Sequence, residues 1–80
     1  MSYNVLKHDG IAYLKKKAES DRYKALMSLN LLLNHSSGIG DHSTTDFYDN
    51  LDEALNILVD AEDRLEVLEK HYSDIIKQIV

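Results

Sequence analysis

The sequence predicts an all-α protein: a two-helix antiparallel hairpin that dimerises into a four-helix bundle. Three observations carry this expectation. From Phe47 to Ile79, apolar residues recur at alternating steps of four and three, the period of a helix packing against other helices at a shallow angle. Proline is absent and glycine occurs only at positions 10, 38 and 40, so few breakers interrupt the chain. Two segments, LNLLL at 29–33 and ALNILV at 54–59, are apolar on more sides than one partner helix can cover. All 80 residues form a single domain on this reading.

The first helix is expected over residues 10 to 35, with an earlier start near Asn4 left open. Ile11, Leu14, Ala18, Ala25, Leu29 and Leu32 make its apolar stripe, interrupted only by Arg22. Asp9 is a suitable cap, because its carboxylate can accept from backbone N–H groups one turn further on.

A bend follows over 36–43. Gly38 falls where a helix stop requires positive φ, which glycine adopts without steric cost, and Ile39 beside it can fold back onto Leu33. Gly40 and Asp41 continue the turn. Ser43 then caps the second helix, with Asp46 in the first turn at the positive end of the helix dipole.

The second helix is expected over 44 to 79. Its seam is Phe47, Leu51, Ala54, Leu58, Ala61, Leu65, Leu68, Tyr72, Ile75 and Ile79. Asp60–Arg64 and Glu66–Lys70 stand at the i,i+4 spacing that supports an exposed helical face. With the bend at 38–40, residues opposite each other across the hairpin sum to 79–80. This puts Leu29 against Leu51, Ala18 against Ala61, Leu14 against Leu65 and Ile11 against Leu68. Leu31, Leu33, Leu55, Ile57 and Val59 then lack a place in the hairpin seam, and they are the predicted interface with a second copy.

Composition narrows the function. There is no cysteine, which excludes disulfides and thiolate metal sites and fits a reducing compartment. The first ten residues lack the apolar run of a signal peptide, and no run approaches the ~20 apolar residues that span a membrane. A cytoplasmic protein without membrane contact is expected.

The residue types capable of chemistry collect around the bend. His35, Asp41, His42 and Asp46 offer imidazole and carboxylate ligands, but without a fixed metal-site spacing, and capping accounts for the acids. GIGDHS at 38–43 matches the first two glycines of a dinucleotide fingerprint, yet it follows a helix instead of a strand and has Ser43 at the third glycine position. Three residues before His71 stands Leu68 and not a glutamate, so the Glu-x-x-His spacing of di-iron bundles fails. No pattern suggests a nucleophilic triad. The expectation is a non-enzymatic protein with no cofactor, no metal and no catalytic residue. A small metal-dependent enzyme at the 35–46 bend is the alternative.

Charge adds a second alternative. Residues 1–40 carry six basic and three acidic residues, whereas residues 41–80 carry three basic and eleven acidic. The basic helix favours pairing with the acidic one through many small, screened attractions. Lys15, Lys16, Lys17, Arg22 and Lys24 form a basic run, but the net charge of −5 argues against nucleic-acid binding. The excess acid on the second helix suits a mimic of nucleic acid.

The GIGDHS bend followed by AEDRLEVLEKHY resembles a group of small uncharacterised helical proteins of tailed phages, especially marine cyanophages, over residues 30 to 72. That resemblance implies a viral protein acting in the cytoplasm of an infected bacterium, where it binds and modulates a host protein. It implies no activity and no site residues.

Overall fold

A computed structural model of the chain describes residues 5–34 and 44–79. They form two helices, α1 from Val5 to Asn34 and α2 from Thr44 to Ile76, which pack along their lengths as an antiparallel hairpin. The molecule is a rod of 62 × 17 × 16 Å, of which the helices themselves account for about 45 and 50 Å at a rise of about 1.5 Å per residue.

The N-terminal boundary differs from position 10 and falls at the earlier start that the sequence leaves open. α1 starts at Val5, five residues before the predicted start, so Asp9 is a helical residue and not the cap. Gly10 lies inside the helix with open space where a Cβ would stand. The two residues that look like a start signal are simply carried within the helix. Glycine in a helix interior costs roughly 0.5–1 kcal/mol relative to alanine, which packing on either side of it can offset.

α2 begins as expected and has Asp46 in its first turn, where the helix dipole favours an acid. Its end falls short of residue 79. Tyr72 leaves helical geometry at φ −134°, ψ 31°, and the helix stops at Ile76. Beyond it the amides of Gln78 and Ile79 donate to the carbonyls of Ile75 and Ile76, each at 3.0 Å. Such i→i+3 bonds tighten a final turn and satisfy carbonyls that the helix leaves over.

The core sits along one seam. Ile11, Ala18 and Ala25 of α1 are buried, as are Ala54, Ala61 and Leu68 of α2. Each set repeats every seven residues, the period expected for helices wound around each other. Small residues at this spacing let the two backbones approach closely. Leu29, Leu32, Leu51, Leu58 and Leu65 fill the remaining seam positions as half-buried side chains.

Two predicted seam residues are displaced: Tyr72, exposed where it leaves helical geometry, and Leu14. Leu14 is exposed, and Lys15 takes the half-buried position between Ile11 and Ala18. Both residues lie about 50° from the line joining Ile11 and Ala18, on opposite sides of it, so periodicity alone ranks them equally. The long aliphatic stem of a lysine covers apolar surface while its ammonium reaches water; Lys15 Nζ donates to Glu19 Oε2 at 2.8 Å. Arg22 likewise occupies a half-buried seam position. The cross-helix contacts span register sums from 79, where Lys7 Nζ stands 5.7 Å from the ring centroid of Tyr72, to 84, where Arg22 meets Glu62. The hairpin is therefore aligned within about one helical turn of the predicted pairing.

Candidate interaction surface of the hairpin

Two shoulders flank the seam, and they differ in chemistry. On α1 the shoulder that follows the seam carries Ala12, Glu19, Leu26 and Leu33. On α2 the corresponding shoulder carries Tyr48, Leu55, Glu62 and Glu69. Antiparallel packing turns the helices head to tail, so these two shoulders lie on the same side of the hairpin. Arg22 bridges toward this side, donating from Nε to Glu62 Oε2 at 3.1 Å. Toward the bend the flank is apolar: Leu26 is half-buried, while Leu33, Tyr48 and Leu55 are at least half exposed.

The opposite flank holds a groove. Leu32 and Ala54 form its floor, Leu31 and Ile57 its apolar walls, and Ser28, Asn50 and Glu53 its polar lining. Further along the same flank stand Asp21 and Arg64. The hydrogen bond from Lys17, at 2.9 Å, and then the charges of Lys17, Lys24 and Arg64 hold the Asp21 carboxyl below its ordinary value.

The predicted interface residues consequently do not form one patch. Leu31 and Ile57 meet in the groove; Leu33 and Leu55 lie on the other flank, with Val59 beyond them on its outer edge. All five are exposed, between 42% for Ile57 and 61% for Leu33. Sequence reasoning places them correctly outside the hairpin seam but does not divide them. Tyr48 and Leu26 lie outside the five predicted residues, although their seven-residue spacing from Leu55 and Leu33 is visible in the chain.

The basic run is largely engaged within α1. Lys15 pairs with Glu19 at 2.8 Å and Lys17 with Asp21 at 2.9 Å, both one turn apart. This leaves Lys16 and Lys24 as the more isolated charges of a short stretch, a poor electrostatic track for a phosphate backbone. On α2, Arg64 donates to Asp60 at 2.9 Å, as the i,i+4 spacing predicts.

Gly38, Gly40, Asp41 and Ser43, together with His35, His42 and the Ile39–Leu33 contact, lie wholly or partly outside the described residues. Among the described residues, no group of three histidine or acidic side chains is arranged to hold a metal ion, and no helix is long and apolar enough to cross a membrane. Comparison with protein-family models, curated proteins and solved structures gives no match.

Proposed function

We propose that this chain is a non-enzymatic, self-associating helical hairpin that works by binding another protein. One observation carries the reading: four of the six buried residues among those described are alanines, while large apolar side chains around the bend end stay exposed. Apolar burial stabilises by about 25 cal/mol per Å², so alanines contribute little and an exposed leucine forgoes roughly 1.5–3 kcal/mol. A chain of this size has few other sources of stability once disulfides are excluded. A second copy supplies the missing burial, and the hairpin becomes half of a bundle.

The binding role is assigned to the groove between Leu31 and Ile57. Its apolar floor and walls, with Glu53 alongside and an acidic α2 around it, suit an amphipathic helix whose apolar ridge is flanked by basic residues. The likeness of residues 30 to 72 to small phage proteins extends the proposal to the partner's origin, a protein of an infected bacterium. Immobilised wild-type chain and the Ile57→Asp variant test this together on one bacterial lysate. The reading expects a captured protein with a basic amphipathic helix, absent from the variant's eluate. Equal capture by both forms, with the variant still folded, removes the groove from the account.

A further inference from the structure

We infer that two copies pack through the flank bearing Leu26, Leu33, Tyr48 and Leu55, with both bends at the same end and α1 of each chain against α2 of the other. This rests on the self-association proposed above and specifies its geometry. The choice of flank follows from composition. Its bend half is apolar, and the acids along its middle, Glu19 and Glu62, are already matched by Lys15 and Arg22 at 2.8 and 3.1 Å. The opposite flank presents Asp21, Ser28, Asn50 and Arg64 beside its groove. Asp21 and Arg64 are matched by Lys17 and Asp60, each at 2.9 Å, but covering the Ser28 and Asn50 side chains would cost free energy unless each found a new partner.

The rod exposes more surface than a globular chain of its mass. Monomeric folded proteins expose about 6.3 M^0.73 Å², or roughly 4,900 Å² at this mass. The 9.2 kDa chain exposes 6179 Å². The excess, about 1,200 Å² per chain, is larger than the ~800 Å² each partner gives to a standard interface.

Charge and the placement of apolar residues fix the orientation. The half of the chain containing α1 has six basic against three acidic residues, and the half containing α2 has three against eleven. Setting α1 beside the partner's α2 surrounds each basic helix with two acidic ones, whereas α2 against α2 opposes like charges. Leu33, Tyr48 and Leu55 all lie in the bend half. Packing with bends together covers this patch with its own copy, and every neighbouring pair of helices runs antiparallel. With bends at opposite ends, Leu33 and Leu55 would face the partner's Ala12 and Glu69 region.

The absence of cysteine makes the test direct. Asn34 ends α1 beside the bend and is exposed, so Asn34→Cys carries a nitroxide label at the end of the rod. Bends together predict a label separation in the dimer below about 30 Å, the width of a four-helix bundle plus linkers, while opposed bends add most of a helix length, about 45 Å. Sedimentation of the labelled protein is measured in parallel, together with Leu55→Asp and Ile57→Asp. The inference expects a labelled dimer with the short distance, a dissociated Leu55→Asp and a dimeric Ile57→Asp. A dimer with the long distance, or one broken by Ile57→Asp and not by Leu55→Asp, overturns this geometry alone. A labelled and wild-type protein that are both folded monomers overturns the self-association reading as well.

Discussion

Arg22 and Glu62 stand forty positions apart in sequence and 3.1 Å apart in the fold, joining the two helices from a seam position that an apolar residue normally holds. A charged residue at such a position costs stability and restricts which helices pair in which register. Both side chains are partly exposed, so the ion pair itself contributes little, at most about 1 kcal/mol. Arg22→Leu should therefore raise stability by about 0.5–1.5 kcal/mol through added apolar contact. It should also broaden the distribution of oligomers. Urea melts and sedimentation velocity of the variant check both parts; a clear loss of stability would mean that the ion pair outweighs the seam defect.

Gly10 gives the simplest stability prediction. It is helical, its φ is not positive, and an added Cβ meets nothing within 4 Å. Gly10→Ala should stabilise the fold by about 0.5–1 kcal/mol. A higher melting midpoint by circular dichroism is the expected result.

The alanine seam gives the opposite sign. Ala18 and Ala61 are each 1% exposed at the line of closest approach. Inserting a leucine at either site should destabilise by about 1–3 kcal/mol, because the helices must move apart to admit it. The same substitution at exposed Ser20 should change stability by no more than about 0.5 kcal/mol. Chemical denaturation of the three variants measures the difference.

Acid titration tests the Lys17–Asp21 contact. Because the folded-state pKa of Asp21 is lowered, mainly by the Lys17 hydrogen bond, its contribution is present above the unfolded pKa and is lost as pH falls through the folded value. Stability should decline on acidification, and Asp21→Asn should be slightly less stable than wild type at neutral pH, with the two forms converging at low pH so that the variant's decline is flatter. Melting temperatures of both forms from neutral to strongly acidic pH check it.

Much of this architecture is legible in the sequence, and the misses have physical causes. The α2 seam from Phe47 to Ile75 shows its period without interruption, so its existence and its buried members Ala54, Ala61 and Leu68 could be read directly. α1 is harder because Lys15 and Arg22 hold seam positions with aliphatic stems, and an apolar pattern does not reveal them. Its start is ambiguous in the sequence between residue 10 and a position near Asn4, because Asp9 and Gly10 favour a helix boundary but tolerate a helix interior when packing continues past them. The candidate surface was legible as an excess of apolar residues. Its division into two flanks was not, since neighbouring leucines differ by 100° and only the partner helix decides which side each one takes.

The dependence of the melting temperature on protein concentration tests the central claim, that this hairpin completes its core with a second copy. If folding and dimerisation are coupled, mass action stabilises the native state as concentration rises. For two 80-residue chains unfolding together, a hundredfold increase should raise the midpoint by about 5–10 °C. A sharp, reversible melt whose midpoint stays constant over that range would show a hairpin that is stable alone, and would contradict the account.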